Sequence, residues 1–416
     1  MVKNGKIKEV TKDMEEFIMA NPYKPGAGTM PEYLAGRDNI IDNAKTILSD
    51  LQDGGMATHT IFYGVRGVGK TVLLNKIESI AATYNYLYDH IECDEHFNFA
   101  HSINLTCKRF IRQMSKAESA KELVNKAITI LLSFKLTYGI EDNDISFGIN
   151  KDSLIAYECA NSGDFSQDLL TLLIALGELA SKCNKQICFF IDEIQNIKKK
   201  DLTAFILSLH RINQLNLPII LIGAGLPTIL RISSDTKSYA ERLFDFVKVT
   251  SLKPADATKA LIEPAKKSNN RYSDDAIKYI LKATGNYPFF IQQYGKIIWK
   301  VSNGIGYEFT KEDAENVYEE YIEKLDDSFF STRFNKSTKA EKNLLFAMAS
   351  FDKYPCSTKK LAIKMKSDQS KISPIRNNLI NKGLLYAPSY GEIDFTVPFF
   401  DDYLRRMQLK TREDTD

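Results

Sequence analysis

The sequence predicts an α/β fold in which a parallel sheet is covered by helices, followed by an all-helical region and a small third domain. Three observations support this prediction. Short apolar runs alternate with amphipathic segments through residues 36–250. The composition, 44% hydrophobic and 26% charged, is that of an ordinary globular protein. Residues 336–410 carry 14 basic and 7 acidic side chains, whereas residues 1–335 carry 40 basic and 43 acidic ones. This asymmetry of charge indicates that the two parts of the chain have different functions.

Five apolar runs are predicted to form the strands of the sheet. They are Thr60–Tyr63, Tyr86–Cys93, Ile187–Ile191, Ile219–Ile222 and Phe246–Thr250. Segments with helical periodicity precede and separate them: Asn39–Leu51, Thr71–Thr83, Asn98–Met114, Ala120–Phe134, Ser166–Lys182 and Leu202–Leu215. Strands separated by helices favour a parallel sheet. Residues 1–35, polar and then rich in Pro and Gly, are expected to be an extended lead-in.

An insert at residues 94–163 separates the second and third predicted strands. It contains two alternating runs, residues 134–140 and 145–149, with an acidic turn sequence between them. Alternation of this kind is typical of half-buried strands, so the sequence predicts a β-hairpin here.

The rest of the chain is predicted to be an all-helical region, which the resemblance described below implies is a helical lid at 251–330, and a domain at 336–410. Residues 254–303 follow a helical pattern, and Lys311–Leu325 is predicted to be one further helix. The last domain has a predicted helix at 341–352, a second that Ser357 caps, and a third that begins at Ser373-Pro374. Two strands are predicted at Leu384–Tyr386 and Glu392–Val397. We interpret this order as a winged helix.

Basic residues cluster around the second and third of these helices. They are Lys359, Lys360, Lys364, Lys366, Lys371, Arg376 and Lys382. Such a cluster suits contacts with the phosphates of double-stranded DNA. Winged helices also dock on proteins, and a Lys-rich face is often only solvated, so a protein partner remains an open alternative.

Overall charge and cysteine usage point to a cytoplasmic protein with no membrane partner. The net charge is only +2, and the six cysteines include no C-x-x-C pair. The N-terminus lacks the apolar core of a signal peptide. The longest apolar stretch, Leu217–Pro227, is shorter than the ~20 residues that a membrane span needs.

A phosphate-binding loop follows the first predicted strand. Residues 64–71 read GVRGVGKT and fit the pattern G-x-x-x-x-G-K-[ST], with a strand before and an amphipathic helix after them. The glycines allow a tight loop whose N–H groups surround an anion, and the helix N-terminus adds a positive dipole end. The predicted nucleotide contacts are Gly64, Val65, Arg66, Gly67, Val68, Gly69, Lys70, Thr71 and Val72. Lys70 is expected to reach the β- and γ-phosphates and Thr71 to ligate Mg²⁺.

Two acidic residues end the third predicted strand. Asp192 and Glu193 follow the apolar run Ile187–Ile191, which places them at the carboxyl edge of the sheet where ligands bind. Asp192 is the expected partner of Mg²⁺, and Glu193 is expected to orient the attacking water.

One arginine precedes the last predicted strand. Arg242 is expected at a rim of the nucleotide edge, where it could act as an arginine finger on the γ-phosphate of a neighbouring subunit. The alternative is a surface arginine paired with Glu241 or Asp245.

Taken in order, these motifs resemble the bacterial and archaeal AAA+ ATPases related to STAND proteins and to archaeal replication initiators. The resemblance covers roughly residues 20–410 and includes Gly36-Arg37, the P-loop, DEIQ at 192–195, GAGLP at 223–227, SYAERLF at 238–244 and GNYPFFIQQ at 285–293. It implies a P-loop NTPase core, a helical lid and a C-terminal winged helix. It also implies that Gly36 and Arg37 lie beside the adenine, and that Pro288 starts a lid helix facing the nucleotide.

The sequence departs from the initiators at two places. Gly223-Ala224-Gly225 stands where they carry a polar sensor, and residues 288–293 offer no arginine on the lid helix. Both departures resemble STAND proteins more. The sequence therefore favours an ATPase that binds Mg-ATP, hydrolyses it slowly and couples nucleotide state to DNA or a partner. The alternatives are a non-enzymatic nucleotide-gated switch and a purely protein-docking winged helix, and homo-oligomerisation is left open.

Overall fold

The computed structural model describes residues 20–56, 58–140, 160–231, 240–302 and 305–413. The chain forms two compact units. One contains the chain up to Arg37 together with Ser251–Lys336, and the other contains Asp38–Thr250 together with Ser337–Asp416. The segment predicted to be a lead-in therefore belongs to the helical unit, and the C-terminal region shares a unit with the sheet.

The sheet unit begins with five parallel strands that alternate with helices. The strands are β1 (His59–Tyr63), β2 (Leu87–Glu92), β3 (Ile187–Asp192), β4 (Ile219–Gly225) and β5 (Phe244–Lys248). The helices are α1 (Asp38–Gln52), α2 (Lys70–Thr83), α3 (Phe99–Met114), α4 (Lys121–Thr137), α5 (Phe165–Lys182) and α6 (Lys199–Gln214), with a short helix at Ala240–Leu243 before β5. The strand order β2-β3-β4-β1-β5 confirms the predicted parallel sheet.

The centre of this sheet is the most deeply buried part of the unit. Every residue of β3 and β4 is buried, which explains why both read as continuous apolar runs. Phe189 on β3 packs against Phe110 of α3 and Phe205 of α6 with ring centroids 5.5 and 5.9 Å apart. Full burial of one such side chain stabilises the fold by about 1.5–3 kcal/mol. The packing holds the carboxyl ends of the central strands in fixed positions.

The predicted hairpin in the insert is wrong where the structure describes it. Residues 121–137 form one helix, in which Phe134 is buried and Leu136 is 81% exposed. Residues 127–131 in the middle of this helix are all buried, and Val124 and Phe134 lie three residues before and after that buried stretch, which is helical spacing. The alternation at residues 134–140 therefore does not mark a strand. The second predicted run, at 145–149, lies outside the described residues.

The helical unit is built mainly from short helices. They are Pro254–Lys266, Asp274–Thr284, Pro288–Ile298, Lys311–Asn316, Tyr318–Lys324 and Ser331–Phe334, with a π-helical segment at Leu325–Phe330. The predicted helix Lys311–Leu325 is thus broken near Val317. The unit is not purely helical, because β6 (Arg271–Tyr272) pairs in parallel with β7 (Glu308–Phe309).

Tyr23 fixes the N-terminal segment within the helical unit. Its hydroxyl donates to the carbonyl of Leu261 at 2.5 Å and lies 2.7 Å from the hydroxyl of Tyr272. Gly295 makes room for the ring, since a Cβ there would lie 2.4 Å from it. Composition alone gave no sign of this anchor in a segment rich in Pro and Gly.

The C-terminal module, residues 337–413, joins four helices to a small antiparallel sheet. The helices are Lys339–Ala349, Thr358–Lys364, Gln369–Asn381 and Phe400–Glu413. The strands are β8 (Cys356–Ser357), β9 (Leu385–Tyr386) and β10 (Glu392–Phe395), with β10 in the middle. Two predicted strands are present, and β8 is an additional one.

Two predicted helix caps in the C-terminal module are wrong. Ser357 precedes a helix but makes no side-chain capping bond. The next helix begins at Gln369, so Ser373 and Pro374 lie inside it, and the Ser373 hydroxyl donates to the carbonyl of Gln369 at 2.7 Å. Pro374 is tolerated because the carbonyl that it leaves without a helical partner belongs to Ser370, in the exposed first turn.

Across the described residues, none of the helices is both long enough and apolar enough to cross a membrane.

Candidate functional site

The phosphate-binding loop connects β1 to α2, as predicted, and each of its glycines has a separate structural reason. Gly67 and Gly69 adopt positive φ angles of 78° and 88°, which side chains disfavour. A Cβ on Gly64 would lie 2.2 Å from the carbonyl oxygen of Val249. The N–H of Gly64 also donates to the carbonyl of Gly225 at 3.2 Å, which ties the loop to β4.

Lys70 is folded back onto this loop. Its ammonium group donates to the carbonyls of Gly64 and Val65 at 3.0 and 3.1 Å, and the residue is only 7% exposed. Burial lowers the pKa of Lys70 to about 8, while Glu193 opposes that shift. The loop therefore keeps a cation in place by means of carbonyl oxygens, and a phosphate group can replace those contacts.

Thr71 and Asp192 meet at the carboxyl edge of the sheet. The Thr71 hydroxyl donates to Oδ2 of Asp192 at 2.6 Å, although 121 positions separate them in the chain. The N–H of Glu193 donates to Oδ1 of Asp192 at 2.8 Å, so both carboxylate oxygens are held. Asp192 is 3% exposed.

Glu193 has an unusual backbone conformation. Its φ of 50° and ψ of 39° place it in the left-handed region, which is uncommon for residues other than glycine and recurs at functional sites. Its carboxylate lies 3.3 Å from Nη1 of Arg66 and 2.5 Å from Nε2 of Gln195. The acid predicted to orient water is thus held by two side chains.

Arg66 links the phosphate-binding loop to the C-terminal module. Its backbone N–H donates to the carbonyl of Thr396 at 2.8 Å. A Cβ on Gly383 would lie 3.2 Å from the Arg66 guanidinium and 3.0 Å from Leu226. The turn before β9 therefore packs directly against this loop.

Arg242 does not lie at the nucleotide edge, and that expectation is wrong. Phe244 pairs with His59 at the amino end of β1, whereas the phosphate-binding loop follows Tyr63 at the carboxyl end. The length of the strand, roughly 15 Å, separates the two ends. Arg242 is exposed. Its action on the γ-phosphate of a neighbouring subunit stays a prediction.

Gly36, Arg37 and Pro288 belong to the helical unit. Gly36 has a φ of 64°, and a Cβ there would lie 2.8 Å from the side chain of Asp256. Arg37 is 8% exposed; burial lowers its pKa, while the carboxylate of Asp256 opposes that shift. Pro288 is the first residue of its helix, as predicted. The roles of these three residues beside a nucleotide stay predictions.

Two families match the chain. The family described as "AAA ATPase domain" matches residues 33–222, which contain the phosphate-binding loop and the acidic pair at the end of β3. Residues 33–222 are therefore similar to AAA ATPase domains. A domain of unknown function, DUF8462, matches residues 327–404. No curated protein matches the chain.

A solved Walker-type ATPase shares the fold of this chain. The Walker-type ATPase PABY2304 of Pyrococcus abyssi is 13% identical, with a TM-score of 0.51 over 91% of this chain and 97% of its own. Orc1 of Aeropyrum pernix, solved with DNA, is 13% identical, with a TM-score of 0.43 over 92% and 95%. A mutant RuvB of Thermotoga maritima is 13% identical, with a TM-score of 0.43 over 88% and 95%.

Sequence reasoning missed two members of this candidate site. The Arg66 side chain was expected only as part of the loop, yet it pairs with Glu193. Gln195 was noted only as a letter of the DEIQ motif, yet it contacts Glu193 and the N–H of Leu226. The available signal for Gln195 was its polar side chain two positions after Glu193, at the carboxyl edge of the sheet.

Proposed function

We propose that the chain is an ATPase that binds Mg-ATP, hydrolyses it slowly and couples nucleotide state to a partner through the C-terminal module. The convergence of Lys70, Thr71, Asp192 and Glu193 at one edge of the sheet carries this proposal. The phosphates of ATP would lie in the loop formed by residues 64–71, with Val72 in the first turn of α2. Gly36, Arg37 and Pro288 are proposed to serve the adenine side.

The residues present fit a magnesium ion. Thr71 and Asp192 offer a hydroxyl and a carboxylate oxygen 2.6 Å apart, and Mg²⁺ prefers oxygen donors that leave room for phosphate and water. When bound, the ion would neutralise charge on the phosphates. Within the protein, Lys70 would leave the carbonyls of Gly64 and Val65 for the phosphates, and Glu193 would orient the attacking water.

Binding is tested first by titrating ATP into the full chain by calorimetry. Lys70→Ala should abolish measurable binding, because it removes the only loop cation that the carbonyls hold. Lys200→Ala removes an equal charge from an exposed position near the acidic pair and is the matched control. Unchanged affinity in Lys70→Ala would contradict the proposal.

Turnover is tested by steady-state hydrolysis with and without double-stranded DNA. Glu193→Gln should reduce turnover at least a hundredfold, since general-base contributions are typically 10²–10⁴. DNA-stimulated turnover that this substitution abolishes is the expected result. Tight ATP binding with negligible turnover in both proteins would instead support the switch described next.

A non-enzymatic nucleotide-gated switch is the second candidate. One observation favours it: both oxygens of Glu193 are already engaged by Arg66 and Gln195, and Arg66 is bonded to the C-terminal module. In such a switch, nucleotide binding would change the contact between Arg66 and Thr396 without hydrolysis. Turnover that depends on Glu193 would exclude this reading.

We propose double-stranded DNA as the partner of the C-terminal module, interpreted as a winged helix. Lys359, Lys360 and Lys366 are exposed on and after the helix Thr358–Lys364. Lys382 is not available, because it pairs at 2.7 Å with Glu341, which is 3% exposed. The basic surface is therefore smaller than the sequence cluster predicted.

Salt dependence distinguishes DNA from a protein partner. Binding to a labelled duplex should weaken steeply as salt rises, with a slope of about −0.9 for each phosphate neutralised. Replacing Lys359 and Lys360 by Glu should reduce both affinity and slope, whereas the same change at Lys198 and Lys200 should leave them unchanged. Absence of salt-dependent binding would favour a protein partner.

Arg242 is proposed to act between subunits of a homo-oligomer. It lies at the far end of β5 from the loop of its own chain, so it has no access to that chain's phosphates. Arg242→Ala subunits should lose turnover and regain it when mixed with Glu193→Gln subunits, because each supplies what the other lacks. Full turnover in Arg242→Ala alone would remove the arginine finger from the proposal.

A further inference from the structure

We propose that Gln195 is a positioning residue for Glu193, and that Gly225 is a glycine because Gln195 occupies the space beside it. The inference rests on the ATPase function proposed above. Residues 223–225 carry no polar side chain. In this proposal, Gln195 from the turn after β3 supplies the polar group at the end of β4.

Gln195 is fixed at both ends of its amide. The N–H of Leu226 donates to Oε1 at 2.8 Å, and Nε2 donates to Oε2 of Glu193 at 2.5 Å. Because a backbone N–H can only donate, Oε1 must face Leu226 and the NH₂ group must face the carboxylate. The orientation of the amide therefore follows from its partners.

The backbone around Gln195 is held from the other side as well. Glu193 is in the left-handed region, and a 3₁₀ turn at Ile194–Asn196 follows it. The Asn196 side chain donates to the carbonyl of Cys93, just beyond β2, at 2.7 Å. This turn directs Gln195 back across the ends of β3 and β4.

Two glycines at the end of β4 differ in their relation to Gln195. A Cβ on Gly225 would lie 2.6 Å from Oε1 of Gln195, which is closer than real Cβ contacts. The three atoms nearest to a Cβ on Gly223 belong to Ile194, Ile191 and Ile61, at 3.2, 3.6 and 3.7 Å, and none of them belongs to Gln195. A Cβ on Gly225 would also lie 3.0 Å from Cγ2 of Ile194, so position 225 is matched to two neighbouring side chains, of which Gln195 is the closer.

The hydrogen bond from Gln195 limits the rotation of the Glu193 carboxylate. The second contact, to Nη1 of Arg66, is longer at 3.3 Å, and about a quarter of each of these side chains is exposed. A carboxylate that must orient one water needs a fixed lone pair, and a neutral amide fixes it without adding charge. Gln195 acts through Glu193 and does not itself reach the reacting atoms.

The test compares hydrolysis by Gln195→Ala, Gln195→Glu, Gly225→Ala and the control Gly223→Ala in the full chain. We expect kcat to fall about tenfold to a hundredfold in the first three, as for other residues that orient a catalytic group. The affinity for ATP, measured by calorimetry, should not change, and Gly223→Ala should behave as wild type. Gln195→Glu is isosteric with Gln and can still accept from the N–H of Leu226, but its carboxylate cannot donate to Glu193.

A double variant separates positioning from general damage. In the Glu193→Gln background, Gln195→Ala should have no further effect on the residual rate, because its effect passes through Glu193. An additive loss there, a wild-type kcat in Gln195→Ala, or faster turnover in that variant would each overturn the inference. Wild-type turnover that depends on Glu193 but not on Gln195 refutes this inference alone, whereas absence of wild-type turnover refutes the proposed ATPase as well.

Discussion

The four charged side chains at the carboxyl edge of the sheet are two cations and two anions. Lys70 and Arg66 face Asp192 and Glu193, and the pKa of Lys70 responds to all three neighbours. ATP brings further negative charge into this set, which a divalent cation offsets. At residue scale, the site therefore combines two cations that suit an anion with two carboxylates that suit a divalent cation.

His59 at the start of β1 makes the stability of the sheet depend on pH. The residue is fully buried, and its Nδ1 accepts a hydrogen bond from the N–H of Leu221 at 3.0 Å. Burial lowers the pKa of His59 to about 4 from the ordinary 6.5. Neutral His59 is thus preferred in the folded protein, and protonation would also remove the acceptor for Leu221.

We expect the free energy of unfolding to decrease as pH falls from 6.5 towards 4. Above pH 6.5 His59 is neutral in both states; below it, the unfolded chain binds a proton first, which costs up to about 3 kcal/mol. Urea unfolding followed by circular dichroism at several pH values measures this. His59→Asn keeps an acceptor but does not titrate, so it should lose this part of the pH dependence.

At the scale of elements, α4 shows how helical and strand patterns overlap over a few residues. Phe134 and Leu136 would share a face in a strand but lie about 200° apart on a helix. The structure buries the first and exposes the second. Only the packing of the whole helix against α3 and α5 settles which period applies.

Two substitutions test that assignment. Phe134→Ala should destabilise the sheet unit by about 3–5 kcal/mol, because it leaves a cavity in a closed core. Leu136→Ala should change stability by less than about 0.5 kcal/mol. Thermal unfolding followed by circular dichroism compares them, and equal losses in both variants would contradict the helix.

Gly383 in the C-terminal module allows a comparison with Gly391 in the same module. Both have positive φ, 64° and 76°, but only a Cβ on Gly383 would meet neighbours. Alanine at either position should cost about 1–2 kcal/mol from the backbone conformation. Gly383→Ala should cost more, because it also pushes on Leu226 and Arg66, and calorimetric melting measures the difference.

At the scale of the whole molecule, the chain order and the spatial order differ. The segment that precedes α1 belongs to the helical unit, and residues after Lys336 return to the sheet unit. The C-terminal module therefore contacts the phosphate-binding loop directly, through the N–H of Arg66 and the carbonyl of Thr396.

Truncation after Lys336 tests this arrangement. We expect hydrogen exchange at the Arg66 amide to become much faster, because its acceptor on Thr396 is removed. The Leu221 amide, which donates to His59 inside the sheet, should keep its protection and serves as the internal control. A slow Arg66 amide in the truncated chain would contradict the contact.

Local pattern was sufficient for the elements that build the nucleotide site. The loop at residues 64–71, the apolar run before Asp192 and the alternation of strands with helices each depend on neighbours in sequence, so the parallel sheet and the positions of its acids could be predicted. The break near Val317 and the start of the helix at Gln369 could not, because tertiary contacts decide where short helices end.

The sequence by itself determined a phosphate-binding loop and a central strand that ends in two acids, since the loop glycines and the buried apolar run impose their own geometry. Only the tertiary structure decided which side chains meet at Glu193. Arg66 lies 127 positions before Glu193, and Gln195 lies two positions after it. The carbonyl of Thr396, much further along the chain, accepts from the N–H of Arg66, so these contacts arise from the packing of the loop, β4 and the C-terminal module. Such contacts depend on distances between elements, which a linear pattern of residues does not encode.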